Sequence, residues 1–117
     1  MERKTFGKPI AEHQAIQLKL AEMSTRASAA ELLVKHAANK FYQGELCDLE
    51  AGQAKFFASE SAVQNSLDAM LVFGGYSYSP EYEIERFYRD APLLCIGEGT
   101  NEIQRMIIAK QMVARTQ

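Results

Sequence analysis

From Pro9 to Gln43 the chain has no internal proline or glycine, and apolar or small residues return at Ile16, Leu20, Met23, Ala27, Ala30, Val34, Ala37 and Phe41. Steps of four and three place these residues on one stripe of a helix. Pro9 suits the first helical turn, where its missing N–H has no intrahelical partner, and Gly44 suits the stop because it tolerates a left-handed conformation. Such a helix is about 50 Å long at ~1.5 Å per residue. Its many alanines predict a neighbouring helix at close approach. A second helical stretch runs from Asp48 to Phe73, with Ala54, Phe57, Ala58, Ala62, Leu67, Met70 and Leu71 in helical spacing, Gly52 as its weak point and Gly74-Gly75 as its terminator. Ser79 as cap, Pro80 at the first helical position and Glu81 and Glu83 at the positive end of the dipole then restart a short helix ending near Asp90.

The segment APLLCIGEGT contains Pro92, Gly97 and Gly99 and is expected to be an ordered apolar loop. A last helix follows, with Asn101 as its cap, Gln104 three residues on, and Ile103, Met106, Ile107, Lys110 and Val113 on one face. No segment alternates as a half-buried strand does, so no sheet is expected. Two long helices, a short one and a final one, joined by short loops, predict an all-α, up-and-down four-helix bundle over residues 1–117.

Composition narrows the function classes. A chain of 117 residues with 47% hydrophobic and 24% charged residues has the balance of a single globular domain able to bury its own core. Thirteen basic against fifteen acidic residues give a formal charge of -2 with no basic stripe, so nucleic-acid binding gains no support. Cys47 and Cys95 form no CxxC pair, and His13 and His36 are too far apart for a local metal motif, so no metal site is expected. Reduced cysteines and a cytoplasmic setting are expected. No apolar run approaches the roughly 20 residues of a membrane span, and MERKTFGKPI lacks the apolar centre of a signal peptide.

Candidate chemistry concentrates at Gly97-Glu98-Gly99-Thr100, where an acid stands between two glycines after Leu93, Leu94, Cys95 and Ile96. Flanking glycines let a ligand approach the backbone, and apolar neighbours raise a carboxylate's pKa by desolvation, both of which suit a general base. Glu98 has a second reading, as a residue that caps the following helix at its positive end. The N-terminal Arg3, Lys4, Thr5 and Lys8 precede a long helix, an arrangement that can bind phosphate or can be a solvated chain end. His13 reads equally as a surface histidine, and helix termination accounts for Gly74-Gly75, which is no GxGxxG fingerprint.

Three motifs, RKTFGKPIAEHQAI at Arg3 to Ile16, VFGGYSY at Val72 to Tyr78 and RDAPLLCIGEGTNEIQR at Arg89 to Arg105, occur in order across nearly the whole chain. Together they resemble the C-terminal domain of the acyl-CoA dehydrogenases. The resemblance implies that Glu98 is the catalytic base of a flavoenzyme that takes acyl-CoA thioesters to trans-2-enoyl-CoA and passes electrons to an electron-transfer flavoprotein. It implies that Arg3 holds the pyrophosphate of flavin adenine dinucleotide (FAD), with Thr5, Phe6, His13 and Gln14 nearby. Leu71, Phe73, Gly74 and Gly75 would meet the adenine part of a flavin bound mainly by a neighbouring subunit. Thr100, Asn101 and Glu102 would contact the cofactor beside the base, and Gly97 and Gly99 the substrate thioester.

Two positions depart from the family pattern. Leu71 replaces a common Gln, which removes a side-chain contact to the cofactor. Gly97 replaces a common Tyr, which removes a wall of the acyl pocket and favours branched, cyclic or bulky acyl groups. The family also carries a helical N-terminal domain and a middle β-domain, neither of them within this chain, and Met1-Glu2 directly before the first motif suggests a domain cut at its boundary. The domain alone is therefore expected to be inactive, to belong to a homodimer or homotetramer, and to sit in the cytoplasm, or in the mitochondrial matrix of a eukaryote. Rival readings are a non-catalytic helical oligomerisation module, and a relative such as an acyl-CoA oxidase or a flavin monooxygenase. The retained Glu98 argues against the monooxygenase.

Overall fold

The structure, a computed structural model, describes residues 4–5, 8–9, 13–74, 84–97 and 99–116. Its elements are β1 (Lys4–Thr5), β2 (Lys8–Pro9), α1 (Gln14–Tyr42), α2 (Asp48–Phe73), α3 (Ile84–Ile96) and α4 (Asn101–Thr116). The expected all-helical architecture holds, apart from a small antiparallel ribbon that pairs Lys4 with Pro9 and Thr5 with Lys8. Two residues per strand are too few to produce an alternating pattern. The ribbon also moves the start of α1 from Pro9 to Gln14. Pro9 restricts Lys8 to extended backbone, and a proline without an N–H is tolerated at the end of so short a strand. The helix is accordingly about 43 Å long.

Three helices pack on α2. α1 runs against it, with Arg26 Nη1 donating to Asp68 Oδ2 at 2.7 Å and to Asn65 Oδ1 at 3.0 Å, and Asn65 Nδ2 donating to the Met23 carbonyl at 3.0 Å. Lys19, two turns before Arg26, lies 3.8 Å from Asp68. Burial alone would raise the Asp68 pKa, but hydrogen bonds from Arg26 and Gln64 and the charges of Arg26 and Lys19 hold it below its ordinary value. Ile16, Leu20, Met23, Ala30 and Ala37 lie half-buried as expected, whereas Ala27, Val34 and Phe41 face outward. The seam drifts because it follows Arg26 and Leu33 rather than a strict apolar register.

α3 extends past the expected stop at Asp90 to Ile96, with Pro92 inside it. The expected loop there is therefore helix up to Gly97, whose N–H bonds the Leu93 carbonyl at 2.8 Å. Pro92 removes one helical N–H, the one that would reach Tyr88, at a stretch where both residues are exposed. Ala91, 5% exposed, packs against α2 and keeps the helix going. The expected start of this helix at Ser79 and Pro80, with Glu81 and Glu83, lies outside the described residues.

α4 turns a different face inward from the one its apolar spacing predicts. Asn101, Gln104, Ile108 and Gln111 lie toward α2, while Ile103, Met106, Ile107 and Val113 are exposed. Gly52, the weak point of α2, explains the close approach: a Cβ there would sit 3.1 Å from Ile108 Cγ1. At the far end Arg115 clamps Glu50 with two hydrogen bonds, 2.6 and 3.0 Å. These contacts set the directions. α4 starts beside Ser59 and ends beside Glu50, and α3 ends where α4 starts, after lying over Ala62 to Ser66. Both helices thus run against α2, end to end, along a stripe of Gly52, Ser59, Ala62 and Ser66.

The helix ends follow their glycines, with Gly44 and Gly74 at φ 75° and 65°. Cys47 and Cys95 are free and half-buried. Among the described residues no three His, Cys, Asp or Glu could hold a metal, and no helix is long and apolar enough to cross a membrane.

The accessible surface is 8276 Å², against about 6400 Å² for a compact monomer of this mass. Leu32, Phe41, Leu93, Ile96, Ile103 and Met106 contribute to the excess. Sedimentation of the isolated chain should therefore show dimers or larger species, and a strict monomer at high concentration would contradict this. A second expectation concerns acid. The Arg115 hydrogen bonds hold the Glu50 carboxyl down to about 2 against burial, from 4.5. The pair stabilises the fold above about pH 4.5, and that contribution is lost as pH falls toward 2. Arg115→Gln should lower stability near neutrality, a difference that shrinks across that window in urea titrations at successive pH values.

Candidate functional site

The loop between α3 and α4 is held by a polar network rooted in α2. Lys55 Nζ donates to the Gly99 carbonyl at 2.8 Å and to Asn101 Oδ1 at 2.9 Å. Asn101 Nδ2 donates in turn to Ser59 Oγ and to Glu60 Oε1, both at 2.9 Å. Ser59 Oγ donates back to the Lys55 carbonyl at 2.7 Å. Asn101 is 2% exposed and is the largest fully buried side chain among the described residues. Its amide orientation follows from chemistry: an ammonium can only donate, so Oδ1 faces Lys55, and a carboxylate can only accept, so Nδ2 faces Glu60.

This arrangement corrects the expected cap. Thr100, not Asn101, caps α4: its carbonyl accepts the Gln104 N–H at 2.9 Å, and its Oγ1 accepts from the Ile103 N–H at 3.3 Å. Gln104 does not complete a capping box with Asn101; its amide lies against Gly99. Gly99 has φ +91°, a backbone that favours glycine, and a Cβ there would fall 3.1 Å from Gln104 Nε2, so the Gln104 side chain would have to yield to any larger residue. At Gly97 a Cβ would lie 3.3 Å from the Leu93 carbonyl oxygen. Glu98, between them, lies outside the described residues, as do Arg3, Phe6 and Gly75.

A second group of candidate residues gathers at the other end of α2. Because α1 and α2 run antiparallel, His13 and Gln14 at the start of α1 lie level with Leu71 and Gly74 at the end of α2. His13 occupies the cap position with extended backbone; it supplies no side-chain cap, and the first turn contains no acid. Gln14 and Leu71 are exposed, Phe73 closes the helix, and Thr5 pairs with Lys8 in the ribbon. This group and the loop network are separated by roughly 22 Å along α2, the rise from Ser59 to Gly74. The chain thus presents two separate edges rather than one pocket. Among the loop residues, Glu102 is exposed and 3.8 Å from Arg105, Thr100 is half-buried, and the Asn101 side chain is consumed inside the fold.

Lys55, Ser59 and Glu60 were not singled out from the sequence. The available signal is the polar run of Ser59, Glu60 and Ser61 in the middle of a helix whose other positions repeat as apolar.

The network generates a sharp expectation. Asn101→Asp replaces a donor with a carboxylate oxygen facing Glu60, and should cost about 1–3 kcal/mol, read as a lower urea midpoint with unchanged m. A midpoint equal to that of the unsubstituted chain would show that the amide is not held as described.

The profile described as acyl-CoA dehydrogenase, C-terminal domain, matches residues 1–113. The 3-(aryl)acrylate reductase of Clostridium sporogenes is 52% identical over 112 residues, covering 96% of this chain and 30% of that protein. The cyclohexane-1-carbonyl-CoA dehydrogenase of Geobacter metallireducens is 46% identical over 112 residues, again 96% of this chain and 30% of that protein. The butyryl-CoA dehydrogenase structure from Megasphaera elsdenii superimposes with a TM-score of 0.93 at 41% identity, covering 96% of this chain and 29% of that one. The chain spans about a third or less of the length of each of these proteins. With the helical fold, the loop network and a match over nearly its whole length, the chain belongs to the acyl-CoA dehydrogenase family, as its C-terminal domain.

Proposed function

We propose that the chain is the base-bearing and assembly domain of an FAD-dependent enzyme acting on the α,β bond of acyl-CoA thioesters, with Glu98 as the base. The observation that carries this reading is the fixed loop around Glu98: Gly97 is bonded to the end of α3, and the Gly99 carbonyl and Asn101 are bonded to α2. Thr100 supplies a side-chain cap of α4, which weighs against Glu98 being needed for that task. Glu98 takes the proton next to the thioester carbonyl onto its carboxylate as a hydride leaves the neighbouring carbon. The product is a trans-2-enoyl-CoA. Gly97 and Gly99, lacking side chains, leave the thioester room to approach.

The residues at the far end of α2 suit a phosphate-bearing cofactor. The first turn of α1 carries no acid, helix starts favour anions, and Arg3, Lys4, Thr5 and Lys8 precede it in sequence. FAD, when bound, supplies the hydride acceptor. In this reading Arg3 holds its pyrophosphate with Thr5, Phe6, His13 and Gln14 nearby, Leu71, Phe73, Gly74 and Gly75 border an adenine, and Thr100 and Glu102 lie beside the base. Asn101 acts from the interior, through the loop it fixes. The roughly 22 Å between the two edges supports the expectation that they serve two flavins in a dimer or tetramer, held together through the exposed apolar faces.

Gly97 favours a bulky or cyclic acyl group, a reading supported by the ring-bearing names of the two bacterial relatives. The electrons then pass to an electron-transfer flavoprotein, and the enzyme works in the cytoplasm, or in the mitochondrial matrix of a eukaryote. The isolated domain has no turnover of its own.

In the flavin-loaded full-length enzyme, Glu98→Gln should slow flavin reduction by acyl-CoA by the ~10² to 10⁴ of a positioned acid–base group, with flavin content and folding unchanged. Flavin reduction near the unsubstituted rate in a folded, loaded variant would move the base to another residue.

A further inference from the structure

We propose that Lys55 is a positioning residue for the catalytic base: its ammonium fixes the Gly99 carbonyl and, through Asn101, the start of α4, and so aims Glu98 from the neighbouring helix. The proposal rests on the reading of Glu98 as the base.

Glycines on both sides of Glu98 remove the restraint that side chains would place on its backbone. Left alone, such a residue samples many directions, whereas proton abstraction requires a narrow one. The restraint must therefore come from outside the loop. Lys55 provides it one residue away, with hydrogen bonds of 2.8 Å to the Gly99 carbonyl and 2.9 Å to Asn101 Oδ1. Both acceptors are uncharged oxygens of the loop and of α4's first residue, so one cation ties together the two segments that Gly99 would otherwise let rotate. Hydrogen bonds from a charged donor are roughly twice as strong as neutral ones.

The arrangement also separates aim from stability. α4 is held to α2 independently by Arg115 on Glu50 and by Ile108 on Gly52, and Asn101 keeps its bonds to Ser59 and Glu60. Removing the ammonium frees the Gly99 peptide while the helices stay packed. Lysine suits this place because it carries three donors and no acceptor on a flexible stem, and so can serve two oxygens on different segments.

The test uses the flavin-loaded full-length enzyme with Lys55→Met, which keeps chain length and loses the donor, Lys55→Arg, which restores donors, and Glu98→Gln as reference. Lys55→Met should lower kcat per bound flavin roughly 10- to 100-fold, the scale of a small misplacement of a reacting group, with KM little changed. Amide hydrogen exchange should quicken across residues 97–101 while α1 and the rest of α2 exchange as before, and Lys55→Arg should recover most of both losses. If Lys55→Met turns over normally per flavin, or loses rate only in proportion to lost folded protein, Lys55 is a structural residue and the proposal fails. Should Lys55→Met not fold, Lys55→Gln, which retains one donor, is read in the same way. The Glu98→Gln reference separates the two ideas: if it reduces flavin normally, the base assignment falls and this proposal with it, whereas a slow Glu98→Gln beside a normal Lys55→Met overturns the Lys55 role alone.

Discussion

The fold depends on α2 accepting helices along more than one of its faces. A helix covered in this way has few positions to leave in water, yet α2 buries Glu50, Ser59, Ser61, Ser66 and Asp68. Each such group costs free energy unless bonded, and among the described residues no buried side-chain polar atom lacks a partner. Ser59 and Ser66 return their hydroxyls to their own helix, which keeps them small and lets a neighbour come close. Glu50, Asp68 and Asn101 instead reach across to other elements, and those three points fix where α4 ends, how α1 lies and where α4 begins. Apolar contact draws these helices together; the polar pairs choose their register.

Much of this was legible in the sequence, and the lapses have a common cause. The bounds of α2 follow from Asp48 at one end and Gly74 at the other, and the end of α1 from Gly44, because local chemistry at a terminus acts within a few residues. The inner face of α4 was misread because apolar spacing identifies a hydrophobic face without saying what covers it. Ile103, Met106 and Ile107 form a stripe that faces away from α2, while Asn101, Gln104 and Gln111 turn inward. Pro92 suits a loop by its local chemistry, but at an exposed position it does not stop a helix whose Ala91 is packed. The start of α1 was placed early because Pro9 suits a helical first turn and a short strand end equally well.

The candidate site shows the same division. Glu98 between two glycines stands out in the sequence because that pattern is local. Lys55 and Ser59 do not, because their role exists only once α4 lies across α2, some forty residues away in the chain. Asn101 was noticed for the wrong property: as a helix-start residue it resembles a cap, yet the hydroxyl of Thr100 takes that task and frees the amide to join the interior.

The position of the loop on α2 also ties it to the exposed face of α4. α4 has its polar face on α2 and its apolar face outward, and its first turn carries Asn101, which shares Lys55 with the Gly99 carbonyl. Ile103 and Met106, both exposed, stand on the same first turns of α4 as Thr100 and Asn101. Asn101 meets α2 at Ser59 and Glu60, near the middle of that helix, where both flanking helices reach it. A loop carried at the junction of two end-to-end helices would be a hinge if nothing crossed it. Here one lysine and one asparagine cross it, so the junction between α3 and α4 is tied to α2 rather than left to swing.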